Sequence, residues 1–282
     1  MEWYFDASGP IDAELSVPAG LIEVDAGTGG QVHVVLEAMG GGASRMLDIG
    51  EHGVRIHLGG GSGRGRGDEV VTATDVHFAD DHLRVRAPER PWRNAELHLR
   101  VTLPSGSGLT TRTASAEVAC SGRLTSFDGT TASGEITLGD IERDVTVKTA
   151  SGDLAAGMIG GAVRVAGASG DVAVERAGGD VDLNLASGDV HVGEAGGSVR
   201  VHTKSGDVRI GRASAGRVTL DSASGDLCIG VAAGVGARLD VTSVSGDLSC
   251  DLPFEETSRP DAPLEIVCRT ASGDVHIEAA AT

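Results

Sequence analysis

The tripeptide Ser-Gly-Asp returns at Ser151, Ser169, Ser187 and Ser205 with a constant spacing of 18 residues. A unit that short cannot bury a core by itself, so the repeats must stack on one another. The register continues backwards through Ser133-Gly134-Glu135 and Ser115-Ala116-Glu117. Forwards, the spacing loosens to 19 at Ser224, 21 at Ser245 and 27 at Ser272, which makes nine coils. A second turn lies midway through each coil, clearest in AGGDVDLNL and AGGSVRVHT, where Asp180 and Ser198 follow Asp171 and Asp189 by nine residues. Each coil therefore holds two tight turns and two short strands.

Both strands alternate. Val172-Ala173-Val174, Val190-His191-Val192 and Val208-Arg209-Ile210 follow the acidic residue, and Val163-Arg164-Val165, Val181-Asp182-Leu183 and Val199-Arg200-Val201 follow the second turn. Period two buries one face of a strand. A Gly pair or Ser-Gly every nine residues is a density of breakers that no helix in the repeats would survive. Composition agrees: 43 Gly and only 7 aromatics in 282 residues leave Val, Leu, Ile and Ala to build thin β layers. The predicted fold is all-β, a parallel β-solenoid with about 18 residues and two short strands per coil. At roughly 4.8 Å per coil, nine coils would extend about 40 Å.

Stacking turns equivalent positions into columns. Two residues before each Ser stand Thr113, Thr131, Thr149, Thr203, Ser222, Ser243 and Thr270, with Gly167 and Leu185 at the equivalent places. Their parity points inward, where a hydroxyl can bond the neighbouring coil's backbone. An outward column reads Thr146, Arg164, Asp182, Arg200, Thr219, Asp240, which sets Asp182 between two arginines.

Residues 1–108 are expected to be an irregular β region and cap continuous with the regular solenoid of 109–282. Gly20-Leu21-Ile22-Glu23-Val24 and Gly30-Gln31-Val32-His33-Val34 read as earlier coils with drifted spacing. Leu97–Leu103 alternates and stops at Pro104. GGGSGRGRGD at 59–68 offers nothing to pack and is expected to be a mobile loop, and 251–263 is a second long loop. Trp3, Tyr4, Phe5, Phe78, Trp92 and Phe127 are read as a cap on one end, because solenoid termini need covering elements. The alternative use of Trp3, Tyr4 and Trp92 is a carbohydrate-stacking platform.

The chemistry-bearing column is Glu117, Glu135, Asp153, Asp171, Asp189, Asp207, Asp226, Asp247 and Asp274. Carboxylates about 4.8 Å apart repel by roughly 1 kcal/mol even in water. Backbone N–H groups of each residue's own turn are the expected compensation. The alternative is Ca²⁺ held by Asp153, Asp171, Asp189, Asp207 and Asp226. The calcium-binding β-roll, however, needs G-G-x-G-x-D-x-U-x, and the second turn here often lacks an acid. Catalytic and cofactor sites are not expected. No Ser lies in G-x-S-x-G, G-x-G-x-x-G and the Walker motif are absent, and His191, His202 and His276 stand singly. Four separated cysteines read as free thiols. A formal charge of −18 argues against nucleic acid as a partner. The opening MEWYFDASGP and the lack of a long apolar run point to a cytoplasmic chain without direct membrane insertion.

The run VTLPSGSGLTTRTASAEV followed by successive SGD-V-x-V coils resembles the bacterial putative-adhesin family of β-strand repeat proteins, the toastrack domain, over residues 12–279. The resemblance implies a β-helix-like domain, often encoded near envelope-stress and membrane-associated regulators. It supplies no catalytic residues. The expected function is a non-enzymatic interaction scaffold that binds a protein partner or itself. The alternative is a carbohydrate-binding or polysaccharide-processing β-helix protein. The interaction edge is expected at Val275, His276, Ile277 and Glu278, where the last strand would leave its backbone unpaired.

Overall fold

The computed structural model describes residues 1–39, 46–50, 53–57, 67–88, 96–252 and 263–280. Of the Gly-rich stretch 59–68, only Gly67 and Asp68 are among these, and they open the single short helix described, Gly67–Ala73 (α1). Trp92 and most of the 251–263 segment lie outside the described residues. The chain divides into two units, Met1–Gly139 and Asp140–Thr282.

Unit two is the regular solenoid. Val145–Thr149, Val163–Gly167, Val181–Leu185, Val199–Ser205 and Gly216–Ser224 form one parallel sheet. Leu154–Ile159, Val172–Ala177, Val190–Ala195, Val208–Ala213 and Leu227–Val231 form the other. Register follows the repeat: Val181 pairs with Val199, and Val190 with Val208. Period two holds, since Val181, Leu183, Val190 and Val192 are buried while Asp182 and His191 are exposed. The alternation breaks after Val192: Gly193 and Glu194 are both partly exposed, and Ala195 is buried again, as are Ala177 and Ala213. A Cβ on Gly193 would overlap the Glu175 carbonyl oxygen, so that rung takes glycine there.

The last coils do not stack in chain order. Leu264–Ser272 pairs with Gly216–Ser224 on one side and Ala237–Ser245 on the other. Val275–Ala279 likewise lies between Leu227–Val231 and Leu248–Cys250. The outward column therefore runs from Thr219 to Val267 and only then to Asp240. The physical reason is on the strands. Sequential stacking in the same register would set Arg217 on Arg238, whereas insertion places Glu265 between them, with Arg217 Nη2 2.6 Å from Glu265 Oε2. Arg269 similarly reaches Asp221 at 3.6 Å. The inserted strand also carries the contiguous apolar run Ile266-Val267-Cys268, all buried. This corrects the expected interaction edge: Val275, His276 and Ile277 are paired on both flanks, and Glu278 pairs with Gly230.

Unit one uses the same device. Asp12–Val17 and Gly20–Gly27 form a coil inserted between His82–Arg86 with Glu96–Pro104 and Gly108–Thr113 with Glu117–Leu124, all parallel. Gln31–Met39 is not a coil rung, because it runs antiparallel to both Glu2–Asp6 and Glu96–Pro104. Asp75–Ala79 folds back on His82–Arg86 through Asp80 and Asp81, both at positive φ, as a two-residue hairpin requires. The aromatics do close this end in part: Phe5 and Phe78, on the outermost strand of each sheet, stack with centroids 5.1 Å apart. Phe127, however, is a buried core residue of an ordinary rung.

Helix α1 packs on Gln31–Met39 and Glu96–Pro104. Beside it, His98 is only 3% exposed, and its Nε2 lies 2.5 Å from the Glu23 carboxylate, which also receives Arg100 at 3.3 Å. The His98 hydrogen bond holds the Glu23 carboxyl below its ordinary 4.5, against the opposing effect of burial. A carboxyl held low stabilises the fold fully above that value and loses the contribution as pH falls through its lowered folded value.

Two outcomes follow for denaturation experiments. Val190→Asp should cost several kcal/mol by placing a charge among valines, and His191→Asp less than about 1; equal tolerance would contradict the register. Glu23→Gln should cost about 1–3 kcal/mol at neutral pH, with the difference from the parent shrinking on acidification below pH 4.5. A difference independent of pH would contradict the assigned interaction.

Candidate functional site

The Ser-Gly-Asp turns stack so tightly that a Cβ on Gly188 or Gly206 would overlap the carbonyl oxygen of the equivalent glycine one coil back. Their φ values of 123° and 125° are themselves in the region that favours glycine. The hydroxyl two residues before the Ser bonds its own turn at Thr149, where the Gly152 N–H donates to Oγ1 at 2.7 Å, and at Thr203, which donates to the Ser205 carbonyl at 3.1 Å, whereas the Thr113 hydroxyl donates to Thr131 Oγ1 of the next coil at 2.9 Å.

The carboxylates bond across coils. The Asp189 N–H donates to Asp171 Oδ1 at 2.8 Å, the Asp207 N–H to Asp189 Oδ1 at 2.9 Å and the Asp226 N–H to Asp207 Oδ1 at 2.8 Å. Asp171 donates to Asp153 in the same way, and Asp274 to Asp226 across the insertion. The donor expected from the residue's own turn is thus supplied by the next coil. One oxygen of each proposed calcium ligand is committed to this ladder. Among the described residues, no three His, Cys, Asp or Glu side chains are grouped to hold a metal ion. The second turn repeats the pattern, with the Ser198 N–H on Asp180 Oδ1 at 2.9 Å and the Arg217 N–H on Ser198 Oγ at 3.3 Å.

On the outward face of unit two, a cleft of about 550 Å³ is lined by Arg164, Arg200, Arg217, Asp180, Asp182 and neighbouring residues. Asp182 has an arginine on each adjacent rung, and its closest ion-pair contact is Arg200 at 3.7 Å. With both side chains more than half exposed, such a pair contributes little. No aromatic residue lines the cleft. Trp3 and Tyr4 are consecutive in a strand and point to opposite faces, so they form no shared stacking platform.

The open edge of unit two lies one coil from where it was expected. Among the described residues, Ala237–Ser245 ends one sheet and Leu248–Cys250 the other, each paired on one side only. Here the inward residues Leu239 and Val241 are no longer fully buried, Leu248 is 57% exposed, and the outward Val244 is 83% exposed. Neither Pro nor Lys protects the two strands. The sequence signal that could have placed the edge was the like-charge clash of Arg217 with Arg238 in sequential stacking.

The model of the family described as Toastrack DUF4097 matches residues 81–281. The chain belongs to that family. Among solved structures, the toastrack chain is similar to a putative adhesin from Bacteroides fragilis, with 10% identity over 99% of this chain and 96% of that one and a TM-score of 0.43. It is also similar to a putative adhesin from Parabacteroides distasonis, with 8% identity over 98% and 96% and a TM-score of 0.37. A putative cell adhesion protein from Clostridium sporogenes shows 8% identity over 99% of both chains and a TM-score of 0.25. No curated protein matches. In this toastrack chain, no helix among the described residues is long and apolar enough to cross a membrane. Burial pushes the Cys120 and Cys268 thiols up to about 12, which keeps them in the unreactive protonated form.

The ladder makes a prediction that separates it from a metal site. Asp189→Asn keeps an acceptor oxygen and removes one repelling charge, so its stability should match or exceed the parent's in EDTA. Asp189→Ala leaves the Asp207 N–H unbonded and should cost about 1–2 kcal/mol. Millimolar Ca²⁺ should raise the melting temperature of neither the parent nor the variants; a calcium-dependent rise lost in Asp189→Asn would contradict the ladder.

Proposed function

We propose that this toastrack chain is a non-enzymatic interaction scaffold whose contact surface is the open edge formed by Ala237–Ser245 and Leu248–Cys250. The observation that carries the reading is that edge: among the described residues, two strands each paired on one side only, with Val244 and Leu248 exposed. Free N–H and C=O groups along a strand template the addition of another strand, and apolar side chains beside them add affinity. The repetitive character of the carboxylate column supports the same reading, since Asp153, Asp171, Asp189, Asp207, Asp226 and Asp274 are engaged alike in the backbone ladder and none of the six is set apart as a unique reacting group.

The test compares the parent with Val244→Lys/Leu248→Lys, two exposed positions where lysine should leave the fold intact and guard the edge. Lysate of the native host is passed over each immobilised protein. Proteins retained by the parent and lost by the variant are the expected result; identical retention on both would overturn the edge as the contact surface.

A further inference from the structure

We propose that two copies of the chain join at this edge, antiparallel about a two-fold axis through Val241 and Cys250, so that both sheets continue from one copy into the other. The inference rests on the scaffold reading of the same edge and names its occupant as a second copy.

The argument starts from parity. A two-fold axis normal to the sheets pairs each edge strand with its own copy, and the axis must cross both strands at facing positions. Counting from Ser245 at the corner between them, the inward residues are Ser243 and Val241 backwards and Leu248 and Cys250 forwards. Val241 and Cys250 are the second inward residues on each side and therefore face one another across the core. An axis through them satisfies both strands at once.

The pairs this axis creates are compatible in size and charge. In the longer strand all nine residues pair, Ala237 with Ser245, Leu239 with Ser243 and Val241 with itself. The outward charges meet neutral partners, Arg238 opposite Val244 and Asp240 opposite Thr242. Val244 can cover the aliphatic stem of Arg238, which accounts for a valine left 83% exposed in a single copy. The shorter strand, Leu248–Cys250, ends at the axis, which sets Leu248 opposite Leu252 just beyond the strand of the other copy.

The two nearest registers that keep inward residues together are poorer. Centring on Asp240 sets Asp240 against its own copy, a directly opposed like-charge pair. Centring on Thr242 pairs only residues 239–245 within the strand and takes Val244 away from Arg238. The net charge of −18 repels a second copy at long range, and about 0.15 M salt screens this beyond roughly 8 Å.

The chain supplies its own reporter. Cys250 on the axis would lie opposite its copy, within the range of Cβ separations from which a disulfide forms with small adjustment. Sedimentation of the purified, reduced full chain at 0.15 M salt should show a concentration-dependent dimer. Val244→Lys/Leu248→Lys should weaken it at least tenfold. Mild oxidation with copper phenanthroline, which removes one proton and one electron from each thiol, should give a covalent dimer. Cys250→Ser should abolish that covalent dimer and leave the non-covalent one, while Cys228→Ser should leave both. A parent monomeric at every concentration would overturn the proposal, as would a dimer insensitive to the lysines or one that oxidises without Cys250. A monomer whose lysine variant still loses lysate proteins would overturn self-pairing alone; unchanged retention there would instead overturn the scaffold reading.

Discussion

Within the regular solenoid, each Ser-Gly-Asp turn rests on the turn before it with no room for a side chain between the glycines. That contact fixes the spacing of the rungs, and from the spacing comes the rest. It brings the backbone N–H of one aspartate to the carboxylate of the preceding one, so a column of like charges becomes a column of charge-assisted hydrogen bonds. It also aligns the inward valines of consecutive rungs, so the core is a lattice of small branched side chains that needs almost no rings. A side chain at the glycine would separate two rungs and interrupt the hydrogen bonding and the packing together.

Where the turns leave freedom, electrostatics between strands chooses the neighbour. The rungs of unit two are close enough in shape that the last two coils could stack in either order. Glu265 between Arg217 and Arg238 favours the order seen, and Arg269 beside Asp221 adds to it. Each exposed pair is weak, yet the alternative is a direct like-charge contact, so it is the difference that selects. The more apolar coil takes the covered position and the more polar one the end.

The coil length, the two strands per coil, their inward residues and the glycine of each turn were all legible in the sequence, because stacking demands the same residue type at the same place every 18 positions. What was not legible came from contacts between residues distant in the chain. The loosened spacings at Ser245 and Ser272 mark the insertion only once the partner of Arg217 is known. The antiparallel strand Gln31–Met39 alternates much as a rung does, and alternation carries no strand direction. His98 looked like one more residue of the LHLRVTL strand, and its partner Glu23 arrives from a strand 75 residues away in the chain. The edge was sought at the last strand of the sequence on the assumption that chain order is stacking order, which fails at that point.

That difference in order bears on how the molecule is made. A solenoid whose rungs follow the chain can grow as it is synthesised, each new coil docking on the one before. Here such growth cannot give the final order, because Ala237–Cys250 meets its native neighbour only once Leu264–Ala279 has been made and has entered between it and Gly216–Val231. At about 5–20 residues per second, the coil waits on the order of seconds for that neighbour. The final two rungs then form in one step, closing several turns of hydrogen bonds together, so this end of unit two assembles as a single cooperative piece and not rung by rung.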